Sequence, residues 1–390
     1  MIVTGTQFAA TAEKSSNGMS STPPIYANDW DIPCNETSDA DKLCRQPVVS
    51  VIVFTYNHEK YIAKAIESMV MQETDFEYEI LLTEDCSQDR TRDICFEYQK
   101  RFPDRIRVLW AERNLNGFNF RRVRIRCRGK YIAYCDGDDY WTDPKKLQKQ
   151  VAYMEAHPGC AGCFHERVRC DANGNIIPGS ELPQTMKRQL HFGDLAVWTF
   201  PTPPTCTVMW RAQVLKDRPE WMNSMPYGDD CNARWGSYAH GSVDWVEGVR
   251  PSFYRTHPGG VWTQRSGTKQ FEGVYRIDCG VLEHFHVAAS IRRKMLRNWA
   301  KKMFGLKLYY QTHPWSEEDQ QLWKEMHRDA GRRGWAYRLA YRMAVAGHVL
   351  HMTGGKAKNG ILTCLRAVVP PRGRRYLRRL FGCLPQEEQP

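Results

Sequence analysis

The stretch YIAYCDGDDYWTDP, residues 131–144, sets three carboxylates, Asp136, Asp138 and Asp139, at the end of an apolar run. Carboxylates this close repel one another. A hard divalent cation relieves the repulsion and still leaves coordination positions for phosphate oxygens. Asp136 and Asp138, two apart across Gly137, can serve different parts of one ligand from a single strand end, and Gly137 permits a tight backbone turn. The other common way to hold phosphate is a glycine-rich loop, G-x-G-x-x-G or G-x-x-x-x-G-K-[ST]. Neither follows the first strand-like run, which continues as FTYNHEKY. Taken alone, D-x-D-D also fits a solvated turn that caps the next helix through Asp143-Pro144.

Such carboxylates need a frame, and the preceding residues supply one. VVSVIVF (48–54), YEILLT (78–83), RIRVLW (105–110) and KYIAYC (130–135) are short apolar runs with the character of buried strands. Between the first two, Ile62, Ala65, Ile66, Met69 and Val70 recur at helical spacing, and DRTRDICFEYQKRF supplies a second helix. Strand alternating with helix predicts a mostly parallel α/β sheet flanked by helices, because parallel neighbours need crossover connections. Ligands bind at the carboxyl ends of such strands. Those ends read Thr55-Tyr56-Asn57, Thr83-Glu84-Asp85, Asn114 to Gly117, and Asp136 to Asp139.

In combination, VSVIVFTYNHEKYIAKAIESM, ILLTEDCSQDRT, RNLNG and GKYIAYCDGDDYWTDPKKLQKQ resemble glycosyltransferase family 2 over about residues 47–265. These are inverting enzymes of the Rossmann-like GT-A fold that use nucleotide-diphosphate sugars. The resemblance implies a nucleotide-sugar-binding half (47–150) and an acceptor-binding half (151–265) of one GT-A domain. It places Thr55, Tyr56 and Asn57 under the nucleobase and Asp85 as hydrogen-bond acceptor to a uracil-like base. Gly117 falls in the donor loop, Asp136 near ribose and metal, and Asp138 as the direct ligand of Mn²⁺ or Mg²⁺. A cation there stabilises the charge that develops on the departing diphosphate. Inversion requires a base on the opposite face of the sugar, and MPYGDDCNARWG (225–236) matches the family's later acidic motif, with Asp229 as first choice and Asp230 as second. Gly228-Asp229 stands where the family more often has Glu-Asp, and an Asp here also suits a helix cap. Within YRTHPGGVWTQ (254–264), the resemblance offers His257 to the metal or diphosphate and Trp262 to a sugar face; a lone histidine of this kind also fits a structural role.

Composition sets the remaining bounds. The chain of 390 residues carries a net charge of +11, and residues 291–380 hold 21 Lys and Arg against 5 Asp and Glu, so the rest is net acidic. Basicity therefore belongs to a helical C-terminal region (266–390), densest in RGRRYLRRLF. Its candidate partner is the anionic inner face of a membrane, which suits a glycan or lipid-linked glycan acceptor; nucleic acid fits less well, and a solvated helical face is the plain alternative. Residues 1–46 read as a poorly ordered leader. No spanning segment or signal peptide is evident, which predicts a cytoplasmic protein, peripheral on the membrane at most, with reduced thiols. Cys160, Cys163, His165 and Cys170 include a C-x-x-C, but a strand would turn 160 and 163 to opposite faces, which favours buried thiols over zinc. Two other functions remain compatible with these residues. One is a nucleotidyltransferase, which would want a glycine-rich loop after the first strand. The other is a noncatalytic nucleotide-sugar or nucleic-acid binder.

Overall fold

The computed structural model describes residues 34–114, 123–197, 202–225 and 228–352. Its strands are β1 (Asn35–Thr37), β2 (Val49–Thr55), β3 (Tyr78–Glu84), β4 (Ile106–Trp110), β5 (Tyr131–Tyr134), β6 (Cys160–Phe164), β7 (Arg167–Cys170), β8 (Met209–Arg211), β9 (Ser242–Trp245) and β10 (Ser252–Arg255). The main sheet runs β1-β4-β3-β2-β5-β8-β6-β9. Within it β4, β3, β2 and β5 are mutually parallel, and β8 is antiparallel to both β5 and β6. The mostly parallel α/β sheet expected from the sequence is present, within a residue or two of each expected strand.

β2 and β3 are central because both of their faces are buried, so hydrophobic side chains are needed on each. Val49, Val51 and Val53 point into one core with Ile62, Ala65, Ile66 and Met69 of helix α1 (Ile62–Val70). Ile52 and Leu81 point into the other, with Trp210 and Phe164. Helix α2 (Thr91–Arg101) and helix α3 (Lys146–Ala156) complete the flanking layer. Glu79, Glu84 and Asp244 are carboxylates buried inside this sheet. Glu79 of β3 is matched by the Ser50 hydroxyl at 2.6 Å, Arg107 at 3.0 Å and the Arg128 guanidinium at 2.7 Å, which compensates for its desolvation.

Two expectations are corrected. Part of the leader is ordered: Asn35–Thr37 pairs antiparallel with the edge strand β4, and Glu36 meets the Arg107 guanidinium at 2.8 Å. Arg107 thus bridges the buried Glu79 and the added strand. Residues 1–33 lie outside the described residues. The second correction concerns the C-x-x-C segment. A register shift between Cys160 and Gly162 makes Cys160 and Cys163 face the same core, where a regular strand would have separated them.

Helix α4 (Gly228–Ala239) lies in the preceding half, and α5 (Gly267–His284), α6 (Ala289–Tyr309), α7 (Glu317–Arg333) and α8 (Trp335–Met352) follow the expected helical C-terminal pattern. Phe271, Tyr275, Trp299, Met303, Trp323, Met326 and Tyr337 form their own core. Ser266 and Ser316 cap α5 and α7, accepting hydrogen bonds from Lys269 N at 3.2 Å and Asp319 N at 3.1 Å. Among the described residues, no helix is long and apolar enough to cross a membrane. The stretch RGRRYLRRLF lies outside them.

Lys146 opens α3 with its side chain fully buried, its Nζ 2.6 Å from Gln150 Oε1 and 4.1 Å from the Trp141 ring centre. Burial pushes its ammonium down to about 8. Below that pH both folded and unfolded chains hold the proton and the desolvation cost is fully present. Between about 8 and the unfolded value of about 10.4 only the unfolded chain holds it, so stability attributable to this residue rises with pH. Lys146→Met should therefore raise stability at pH 7 by roughly 1–3 kcal/mol, with the gain shrinking as pH approaches 10. Urea denaturation at both pH values checks this; a gain independent of pH would contradict it.

Candidate functional site

The ends of three adjacent strands meet. The carbonyl of Thr55, last residue of β2, accepts Asp85 N at 3.0 Å from the β3 side, and that of Phe54 accepts Gly137 N at 2.8 Å from the β5 side. Thr55 is buried, and its Oγ1 lies 3.2 Å from His58 Nδ1. Gly137 does not have a positive φ, so a tight turn is not why it is glycine. A Cβ there would come within 2.6 Å of Thr55 Oγ1 and 2.8 Å of His58 Nδ1. The glycine lets the Asp cluster close against the β2 loop.

At this junction Asp138 Oδ2 lies 3.0 Å from His257 Nε2 and 3.9 Å from His58 Nε2. One donor atom from each of His58, Asp138 and His257 falls within 4.8 Å of the others, the one such cluster among the described residues with the makings of a metal site. Burial opposes ionisation of Asp138, but the hydrogen bond from His257 and the charges of both imidazoles outweigh it and hold the carboxyl below its ordinary range. Burial pushes His58 down, against the opposing pull of the Asp138 carboxylate. Two imidazole nitrogens and one carboxylate oxygen can hold a divalent cation, and of the two ions expected Mn²⁺ accepts nitrogen ligands more readily than Mg²⁺. The sequence had offered Asp138, Asp136 and His257. The structure brings Asp138 and His257 together, adds His58 and leaves Asp136 outside the group. Asp139, which also lacks a place in it, accepts Arg255 N at 2.8 Å; burial and the charges of Asp138 and Asp136 push its carboxyl well up.

His257 reaches Asp138 because β10 is fastened to the loop after β5. Tyr140 and Phe253 exchange backbone hydrogen bonds of 2.9 and 3.2 Å. Arg255, also buried, donates through Nε to the Asp138 carbonyl at 2.8 Å and through a terminal nitrogen to the Ala172 carbonyl at 2.9 Å. Its guanidinium lies over the Tyr61 and Tyr140 rings at 4.7 and 5.4 Å, and Tyr61 packs against His257 at 4.8 Å. Sequence reasoning missed His58, Tyr61 and Arg255. His58 stands in FTYNHEKY only three residues after Thr55, but nothing local announces that His257 lies opposite.

On the side expected to face a base, Tyr56 is 40% exposed and Asp85 is buried. Asn57 adopts a left-handed φ of 54°, and its Oδ1 accepts Gln88 N at 2.8 Å while its own N–H donates to Ser87 Oγ at 3.0 Å. Asn57 therefore joins the loops after β2 and β3. Asn114 reaches the Asp85 carbonyl at 3.0 Å. Gly117 lies outside the described residues.

The second acidic motif opens α4. For Asp229 and for Trp262, in the helical turn Val261–Gln264, only the backbone is described. Asp230 Oδ1 accepts the Thr202 hydroxyl at 2.6 Å and lies 3.5 Å from Arg234. Arg234 is fully buried and pairs with Asp278 of α5 at 3.1 Å, and Asp278 also accepts Trp299 Nε1 at 3.0 Å from α6. The sequence placed Asp230 as the second choice of base, yet its oxygen is already engaged in this network.

Residues 50–215 match the description Glycosyl transferase family 2. The chain is 33% identical over 218 residues to an uncharacterised protein of Mycobacterium tuberculosis, covering 55% of this chain and 60% of that one. It thus spans less than two thirds of that relative. Over 120 residues it is 37% identical to TuaG of Bacillus subtilis, described as a teichuronic acid biosynthesis glycosyltransferase, covering 30% of this chain and 46% of TuaG. It is also similar to TarS of Staphylococcus aureus, a poly(ribitol-phosphate) β-N-acetylglucosaminyltransferase, at 28% identity over 173 residues, 43% of this chain and 28% of TarS. The structure of TarS residues 1–349 with UDP-GlcNAc superimposes with a TM-score of 0.56 and 19% identity, covering 76% of this chain and 83% of that one. That likeness establishes the GT-A fold.

The buried pair behind Asp230 gives a direct stability test. Arg234→Leu strands Asp278 without its counter-charge and should cost about 3–5 kcal/mol, whereas Arg234→Leu with Asp278→Leu should recover at least half of that. Chemical denaturation of the two variants measures the difference, and equal losses would show that the pair is not coupled.

Proposed function

We propose, from the match of residues 50–215 to glycosyl transferase family 2, that the protein is a metal-dependent glycosyltransferase. It moves a sugar with inversion from a nucleoside-diphosphate donor, a UDP-sugar in first place, to a cell-surface polysaccharide or lipid-linked oligosaccharide. The observation that carries this proposal is the convergence of the β2, β3 and β5 ends on Asp138, with His58 and His257 facing the same carboxylate oxygen. The fold shared with a UDP-GlcNAc complex supports the donor class. The names of TarS and TuaG, which speak of ribitol phosphate and teichuronic acid, support an anionic acceptor polymer.

In this scheme Asp138, His257 and His58 would hold Mn²⁺ or Mg²⁺, and such a cation would offset charge on the diphosphate. Thr55, Tyr56 and Asn57 shape the base-binding edge, Asp85 accepts a hydrogen bond from the base, and Asp136 serves the ribose. Asp229 removes the acceptor hydroxyl's proton. The engagement of Asp230 by Thr202 and Arg234 supports that choice between the two. Trp262 offers a face to the sugar. The basic stretch 372–381 keeps the enzyme at an anionic membrane surface on the cytoplasmic side, where lipid-linked acceptors are presented.

Two variants separate binding from chemistry. Asp138→Asn should weaken Mn²⁺-dependent UDP binding at least tenfold, measured by calorimetry with Mn²⁺ and with chelator; UDP binding that ignores both the metal and the substitution would remove the metal site from the scheme. Asp229→Asn should leave UDP-sugar affinity within about twofold and lower transfer by roughly 10²–10⁴. A variant that loses donor affinity in step with turnover would assign Asp229 to the donor pocket instead.

A further inference from the structure

The C-terminal helices line an open pocket of about 860 Å³, a volume within the range of small-ligand sites. One wall follows directly from the His257 segment: Arg265 and Ser266 come immediately after the turn Val261–Gln264. The opposite wall is α6, which contributes Asn298, Lys301 and Lys302, and the helix ends at Tyr309 beside His313. The charge is one-sided. Asp319 is the acid in the lining, and it already accepts the Ser266 hydroxyl at 2.6 Å.

Three features define what such a pocket holds. Arg265, Lys301 and Lys302 line it and offer cationic donors to an anion. Asn298 keeps its Nδ2 buried with no hydrogen-bond acceptor, an open requirement that a ligand oxygen could meet. Tyr309 is 51% exposed and stacks on His313 at 3.9 Å, giving a flat face suited to a sugar ring. Cationic donors beside a broad aromatic face match an anionic saccharide or polyol phosphate.

We propose that this cavity binds the anionic backbone of the acceptor glycan, through phosphodiester or carboxylate oxygens, away from the hydroxyl that reacts. The proposal rests on the glycosyltransferase function argued above and adds an acceptor subsite in the C-terminal helices. Reach is compatible with it. Arg265 is eight residues beyond His257, so the two cannot be farther apart than about 28 Å even if extended, and the intervening helical turn shortens the span. An oligomer of several units is long enough to span such a separation.

Binding by the full chain decides the matter. A ribitol-phosphate oligomer, a galacturonate oligomer and a neutral glucan of equal length are titrated calorimetrically, alongside vesicles containing phosphatidylglycerol and inorganic phosphate alone. The expected result is that at least one anionic oligomer binds and the neutral one does not. Lys301→Ala with Lys302→Ala should weaken that binding tenfold or more, and Lys301→Arg with Lys302→Arg should restore most of it, with UDP-sugar affinity unchanged throughout. Oligomer binding indifferent to the alanine pair, neutral glucan binding equally well, or lysine-dependent capture by vesicles or phosphate without oligomer binding would each overturn the proposal. Failure of the wild-type protein to bind any UDP-sugar would instead count against the glycosyltransferase assignment, and oligomer binding would still report on the cavity.

Discussion

Everything at this site depends on burying acidic side chains at one strand end without letting their repulsion unfold it. Asp138 and Asp139 sit side by side, nearly out of water, with Asp136 close by. Such a group is tolerable only when fixed donors and opposing charges surround it. Arg255 supplies most of what is needed: its backbone N–H meets the Asp139 carboxylate, its Nε meets the Asp138 carbonyl, and its charge stands beside both. His58 and His257 complete the neutralisation on the open side. The remaining repulsion falls on Asp139, whose carboxyl is pushed well above its ordinary range by burial and by the charges of Asp138 and Asp136.

That requirement explains why a segment more than a hundred residues downstream is built into the site. β10 pairs with β7 rather than with the main sheet, which leaves its far edge free to exchange hydrogen bonds with Tyr140. The second small sheet is thus a bracket that carries Arg255 and His257 to the end of β5. Tyr61, at the start of α1, closes the bracket from the other side by packing on both the arginine and the histidine. The aromatic contacts fix orientation, and the guanidinium fixes charge.

The sequence made the frame legible because β2 and β3 bury both faces, so their apolar runs are continuous and hard to mistake. Asp138 was legible because it follows such a run. Local pattern carries no information about partners brought in by the fold, which is why His58 looked like an ordinary loop residue and Arg255 like one of many arginines. The same limit hid Asn35–Thr37: three polar residues become a strand only because β4 offers an open edge and Arg107 needs a second carboxylate. The one-residue irregularity at Cys160–Gly162 escaped for a related reason, since a bulge is set by the facing strand, and Gly162 lies too close to the Trp210 ring to accept a Cβ.

The same physics argues against treating the C-terminal helices as an appendage. A boundary near residue 265 separates regular patterns in sequence, but it cuts through a buried charge network in space. Arg234 of α4 lies wholly inside the protein, and the carboxylate that makes this tolerable, Asp278, belongs to α5 and is itself held by Trp299 of α6. Removing the helices would take away the counter-charge of Arg234 and uncover the face through which α4 packs on them. The cost of an unpaired buried charge is several kcal/mol, comparable with the whole stability of many domains. The acidic motif and the helices beyond it therefore fold as one unit, and the geometry presented by α4 is set as much by residues after 265 as by those before.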